Sequence, residues 1–174
     1  MERLWSATGR VRNRWSGWEL GGGVLLRPYR PSDLEAMFLL DQECFAEEFS
    51  FDRRSMRMFA EARNAVVAIA EAGDGRLVGF AIAHLERLEG ERYGYLVTLD
   101  VAKQERRRGL AAALLGQLEK LARGAGSSRM ELHVSTENHA AISFYERTGY
   151  IEAGWHGGFY GHGLDAFGYT KPLG

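Results

Sequence analysis

Cys44 is the only cysteine in the chain, so no intrachain disulfide can form. A reducing, cytoplasmic setting is the simplest expectation. No stretch approaches the roughly 18 consecutive apolar residues of a membrane-spanning helix, which excludes that class from the reading. An excess of either charge is lacking as well: 22 basic residues against 23 acidic ones leave a formal net charge of -1. No global field points to nucleic acid or to a membrane surface. His84, His139, His156 and His162 form no metal-ligand spacing, so no metal is assigned, and no internal repeat is found. What remains is a chain of 174 residues, 45% hydrophobic and 26% charged, suited to one globular domain with a sizeable core.

Residues 1–23 differ from the rest. They carry Arg3, Arg10, Arg12 and Arg14 with Trp5, Trp15 and Trp18, end in Gly21-Gly22-Gly23, and lack the apolar centre of a secretory signal. They read as a loosely packed arm on a glycine linker, with tryptophans suited to docking on the domain or a partner. The domain proper is residues 24–174. Val24–Tyr29 reads as its first strand, stopped by Pro28 and Pro31. Ser32 and Glu35 make a capping-box pattern that starts a helix at Asp33, spaced by Leu34, Met37, Phe38, Asp41 and Phe45. A second helix covers roughly Asp52–Arg63. Ala65–Ala70 and Leu77–Leu85 are strands around the turn Gly73-Asp74-Gly75. Glu86–Arg92 reads as a polar turn, and Tyr93–Val101 as the next strand.

That strand enters the stretch the chain is organised around, Thr98–Arg123. A basic turn holds Arg106, Arg107 and Arg108, and a helix from about Arg108 follows with Leu110, Leu114, Leu118 and Leu121 on one stripe. A helix N-terminus offers unpaired N–H groups and a positive dipole end, which attract phosphate. Gly109 lets the backbone approach a ligand, and Ala111 keeps the next approach small. Gly124-Ala125-Gly126 stops the helix. Arg129–Ser135 alternates as a strand, Asn138–Thr148 is a helix ended by Gly149, and Tyr150–Trp155 and Asp165–Lys171 are two last strands.

The spacing Arg106-x-x-Gly109-x-Ala111 resembles the Arg/Gln-x-x-Gly-x-Gly/Ala signature of the GNAT superfamily of acetyl-coenzyme A dependent N-acetyltransferases. The string from Asn138 through Ala141, Phe144 and Tyr145 to Gly149-Tyr150 resembles its second block, Asn-x-x-Ala-x-x-Phe-Tyr-x-x-x-Gly-Phe/Tyr. The resemblance implies an α/β fold, a central twisted mixed sheet of about seven strands flanked by four helices. It also implies acetyl-coenzyme A as cosubstrate, held by Leu99, Asp100, Val101, Arg106, Arg107, Arg108, Gly109, Leu110, Ala111, Asn138 and Tyr145. Within the superfamily the chain looks most like the N-terminal protein acetyltransferases. Cys44–Phe49 sits where these enzymes have an aromatic loop, and Phe159–Ala166 resembles their Tyr-Tyr-x-x-x-x-Asp-Ala hairpin. Phe45, Glu47, Phe49, Phe159 and Tyr160 are accordingly the expected acceptor contacts. Phe159 departs from the pattern by lacking the first tyrosine's hydroxyl. His133 with Tyr95 resembles one eukaryotic branch, where bacterial enzymes usually carry glutamate.

Acetyl transfer to an amine requires a neutral amine, alignment, a stabilised oxyanion and a protonated leaving thiolate. A peptide α-amine near pKa 7.7–8.0 is roughly one-fifth neutral near pH 7.3, whereas a lysine amine near 10.4 demands about 3.4 kcal/mol more. His133, from an ordinary value of about 6.5, suits the α-amine as base, directly or through a water shared with Tyr95. Tyr145 is the candidate acid toward sulfur. The expected function is therefore transfer of acetyl, by direct attack, to the N-terminal α-amine of a protein or peptide. A small amine such as an amino acid or polyamine is the alternative acceptor, and a silent coenzyme A binding module is the reading from another class.

Overall fold

The computed structural model describes residues 15–174, so the part of the arm before Trp15 lies outside the described residues. Eight strands form one sheet. They are β1 (Trp18–Gly21), β2 (Val24–Pro28), β3 (Ala65–Glu71), β4 (Leu77–Leu88), β5 (Glu91–Val101), β6 (Arg129–Ser135), β7 (Ile151–His156) and β8 (Ala166–Pro172). Their order is β1-β2-β3-β4-β5-β6-β8-β7, with β5 and β6 the parallel neighbours and every other pair antiparallel. Four α-helices accompany it: α1 (Leu34–Cys44), α2 (Arg53–Ala60), α3 (Leu110–Gly124) and α4 (His139–Arg147). The strand beyond the expected seven is β1. It pairs with β2 through a tight turn at Gly21–Gly23, all three at positive φ, and Trp18 Nε1 donates to Gln117 Oε1 of α3 at 3.1 Å.

The two faces of the sheet are told apart by residues adjacent on β5. Gly79, opposite Val101, lies under Leu110 and Leu114 of α3, while Asp100 faces Asp41 of α1. The α3 stripe of Leu110, Leu114, Leu118 and Leu121 is buried as its period demands. Covered on both sides, β3 is buried at Ala65 through Ala70, a continuous apolar run rather than an alternating one.

Three local expectations change. The capping box of Ser32 and Glu35 does not form. Instead Asp33 accepts the Arg30 N–H at 2.7 Å and both terminal nitrogens of buried Arg27, at 2.7 and 2.8 Å, and Glu35 pairs with Arg53. A buried guanidinium left without its carboxylate is costly, so Arg27 claims Asp33 first. Asp52 caps α2 by accepting Ser55 N–H at 2.6 Å, and the helix ends at Ala60, short of Arg63. Glu86–Arg92 is mostly strand: the reversal is confined to Glu89 and Gly90, both at positive φ, as a two-residue hairpin turn requires.

Parallel pairing of β5 with β6 is limited to Gly94 with Met130 and Tyr95 with Glu131. At Gly94 the Met130 sulfur occupies the place a Cβ would take and Ala122 of α3 closes the other side, so a larger residue requires Met130 to move. Gly94→Ala should cost about 1–3 kcal/mol through overpacking. In urea denaturation, the double variant Gly94→Ala/Met130→Ala should lose less than the two single losses combined, because the pair shares one volume.

Candidate active site

Past that pivot the strands diverge. Ile82 pairs with Thr98 but Ala83 with Leu96, so Val97 is an extra residue on β5. The bulge reverses the alternation, leaving Tyr95 and Asp100, five residues apart in sequence, on the same face. A cavity of about 560 Å³ fills the gap. One wall is Leu96–Leu99 of β5 and the other His133–Ser135 of β6. Asn138, Ala141 and Tyr145 of the α4 segment line it further, and Cys44–Ala46, Glu48–Phe51 and Tyr160 line the opposite side.

At the apex Tyr95 Oη and His133 Nδ1 are 3.0 Å apart. Phe159 stacks on the His133 ring with centroids 4.1 Å apart and planes 13° from parallel. Burial, then the facing His156, holds the His133 pKa below its ordinary value, so the imidazole is neutral near pH 7. Burial pushes the Tyr95 phenol up to about 12. Tyr145 is buried and moves further in the same direction, again by burial first, so it keeps its proton throughout the physiological range. Its ring packs edge-on against Tyr150 at 5.7 Å.

Asn138 caps α4, its Oδ1 accepting Ala141 N–H at 3.1 Å. Gly109 caps α3 in the left-handed region (φ 80) with no side-chain cap, and Ala113 N–H is the first to reach back, to Gly109 O. The preceding amides of the first turn thus present N–H groups without a helical acceptor. A Cβ on Gly109 would meet nothing within 4 Å, so glycine serves the backbone angle rather than space. Arg107 is also left-handed (φ 62), which bends the turn over the helix start. Arg106 Nε donates to Val101 O at 3.1 Å and turns its guanidinium toward Cys44, while Arg108 pairs with Glu105 at 2.9 Å. Leu110 is buried and Ala111 half-buried. This cradle fits an anion such as the pyrophosphate of a coenzyme.

The structure therefore brings Leu99, Asn138, Tyr145, His133, Phe45, Phe49 and Tyr160 to one cavity. Phe49 and Tyr160 meet across it edge-to-face at 5.1 Å. Glu47 is exposed and outside the lining, where Glu48 stands instead. Val101 and Asp100 turn buried side chains away from the lining, to opposite faces of the sheet. Among the described residues no group of three or more His, Cys, Asp or Glu is arranged to hold a metal ion.

Asp41, behind the cavity, escapes sequence reasoning as a site residue, and Cys44, in the loop already read from sequence, lines the cavity. Asp41 Oδ2 accepts Phe51 N–H at 2.7 Å and Gln42 Nε2 donates to Phe51 O at 2.9 Å, so together they clamp the aromatic loop. Asp100 accepts from Thr98 Oγ1 at 2.5 Å. The other two oxygens, Asp41 Oδ1 and Asp100 Oδ2, have no donor among the described residues, and burial raises both carboxyls toward the protonated form. Cys44 Sγ sits 3.5 Å from Val101 O, and burial followed by the Asp100 charge pushes its thiol up, away from a thiolate nucleophile.

The GNAT acetyltransferase family model matches residues 34–150, and the chain belongs to that family. It is 27% identical over 152 residues to the N-terminal acetyltransferase A complex catalytic subunit NAA10 of Arabidopsis thaliana, covering 86% of this chain and 78% of that one. The ribosomal-protein-S18-alanine N-acetyltransferase of Escherichia coli superposes with a TM-score of 0.75 at 24% identity, over 86% of this chain and 94% of the other. Arabidopsis thaliana NAA60 in complex with acetyl-CoA gives 0.75 at 23% identity, over 86% and 98%. The protein is thus an N-acetyltransferase of the GNAT fold.

The acid pair has a consequence for stability. Both carboxyls are raised by burial, so the folded state holds a proton that the unfolded chain releases above about pH 4. Stability from this pair is present at low pH and declines as pH rises toward the folded pKa, by at most about 1.4 kcal/mol per pH unit for one proton. Melting curves between about pH 5 and 8 should show a shallower decline for Asp100→Asn, which offers Asp41 a donor that does not titrate.

Proposed function

We propose that the protein transfers acetyl from acetyl-coenzyme A to the N-terminal α-amine of a polypeptide, by direct attack. The observation that carries this reading is the pairing of Tyr95 with His133 at the cavity apex, beneath the Phe49–Tyr160 contact. Aromatic contact between the two loops closes the lateral groove that a lysine on a folded surface would need, and leaves room for the end of a flexible chain. The relationship to NAA10 points the same way. Bound acetyl-coenzyme A supplies the thioester carbonyl that the amine attacks. The first-turn amides of α3 and the Arg106–Arg108 turn would hold its pyrophosphate, and Leu99 and Asn138 its pantetheine.

In the tautomer with Nδ1–H donating to Tyr95 Oη, His133 Nε2 is free to take the proton of the ammonium group. Tyr95 fixes the ring and, with its pKa pushed up to about 12, remains a neutral hydroxyl while doing so. Tyr145, protonated and buried, donates a hydrogen bond to sulfur as negative charge develops there. Burial pushes the Cys44 thiol up, away from the thiolate that an acyl-cysteine intermediate would need.

The decisive measurement is mass spectrometry of peptides bearing both a free α-amine and an internal lysine. Acetyl should appear on the α-amine. Because His133 titrates below its ordinary value, the acid limb of kcat/KM should follow the amine, falling about tenfold per pH unit below roughly 7.5. Acetyl on lysine alone, or a profile still rising toward pH 10, would overturn the reading in favour of another amine. Separately, Tyr145→Phe should lower kcat about 10- to 1,000-fold with little change in acetyl-coenzyme A affinity by calorimetry.

A further inference from the structure

A second imidazole stands against the first. His156, on the solvent-exposed strand β7, meets the His133 ring edge-on with centroids 4.6 Å apart. The sheet is built to allow this. His133 pairs with Gly168 of β8, and Gly168 pairs in turn with Gly154 of β7. Two glycines in register leave a bare trough beside His133, and the His156 ring lies in it. A Cβ on Gly168 would meet His156 Nε2 at 3.1 Å and His133 Nε2 at 3.6 Å, and one on Gly154 would meet His156 Nε2 at 4.0 Å. The Nε2 atoms of both rings therefore converge over the same glycine. Phe159 covers the pair, stacked on His133 and 6.2 Å from His156. Nδ1 of His133 is already engaged by Tyr95, so Nε2 is the nitrogen through which protons must enter and leave.

We propose that His156 is the proton outlet of the reaction, receiving from His133 the proton taken from the acceptor amine and releasing it to solvent. This rests on the assignment of His133 as base. The acceptor's ammonium N–H bond breaks and an N–H bond forms at His133 Nε2. That bond then breaks, its proton bonds to His156 Nε2, and water removes it, restoring both neutral rings for the next turnover. No electron pair leaves either ring. The groups facing His133 are Tyr95 of β5, Glu131 on its own strand and His156 of β7. A positive charge on either imidazole disfavours one on the other, so the second proton does not join the first. His156 acts through His133 and is a positioning and relay residue, not one that touches substrate.

The test combines a titration that needs no acceptor with a rate measurement. Two-dimensional NMR of the ring nitrogens should show the His133 and His156 titrations coupled in the wild type. In His156→Ala, the His133 midpoint should move to higher pH, because a repulsive neighbour is gone. His156 is exposed, so this variant should fold. With the best amine acceptor found, peptide or not, kcat should fall about tenfold, less than the 10²–10⁴ of a direct general base. Free imidazole should restore it, and a solvent deuterium isotope effect should appear. Gly168→Ala keeps both histidines but inserts a methyl within 3.6 Å of both Nε2 atoms, and should reproduce the lower kcat. Independent titrations, or an unchanged kcat in His156→Ala, would overturn the relay. Because the rate arm uses any acceptor, failure of the N-terminal reading leaves the relay unaffected.

Discussion

The separation of β5 from β6 is the constraint on which the site depends. Two parallel strands hydrogen-bonded along their length would leave no space between them, and side chains would fill both faces. Here Met130 wedges into the place of a missing Cβ at Gly94, one residue before the last paired position, Tyr95 with Glu131. From there the strands part around a cavity whose walls are the diverging segments themselves. The bulge at Val97 completes the arrangement. Without it, Tyr95 and Asp100 would fall on opposite faces. With it, one strand supplies the apex hydroxyl and the buried acid that joins Asp41, and Asp41 fixes the aromatic loop through the Phe51 amide. The positions of the two ends of the cavity are thus both referred to one irregular strand.

The parts legible in the sequence are those whose signal is local. The α3 stripe, the basic turn before it, the Asn138 cap and the Gly73–Gly75 hairpin are all readable from residues within a few positions of one another. The fold follows from the order of two motifs. Local signals mislead where they compete with a distant demand. Ser32 and Glu35 look like a cap until buried Arg27 claims Asp33 and exposed Arg53 claims Glu35. Glu86–Arg92 looks like a turn because it is charged, yet exposed ends of long antiparallel strands tolerate charge freely. β1 is short, half glycine-flanked and tryptophan-bearing, and becomes a strand through its pairing with β2. Asp41 with Asp100, and His133 with His156, are partners only because the sheet order puts them together. No window of sequence contains either pair.

The coenzyme end and the acceptor end are written in different materials. At the α3 start, the groups that fit a pyrophosphate are backbone amides, and the sequence marks them by the glycine that permits their geometry. The end proposed for the acceptor is bounded by side chains on two loops, Phe45 and Phe49 on one and Phe159 and Tyr160 on the other. Their meaning lies in how the loops meet. A motif can therefore name the family while leaving the acceptor to the contacts between Phe49, Tyr160 and the rings beneath them.

One physical cause runs through the titratable groups of the cleft. Burial raises Tyr95, Tyr145, Tyr160 and Cys44 and lowers His133, and in each it is the first cause. Every shift favours the neutral form. The carboxyl pair at Asp41 and Asp100 follows the same rule by holding its proton. Such an interior disfavours an ammonium group as it disfavours any unpaired charge, so it assists the deprotonation that attack on a carbonyl requires. The same property makes the cleft a poor place to keep the proton once removed. An imidazolium at His133 would face the penalty that keeps His133 neutral in the first place. At the exposed edge of the sheet a charge is hydrated, and the glycine trough on β8 and β7 lies between that edge and the apex. A cleft tuned to neutrality therefore needs an exit for charge as much as it needs a base.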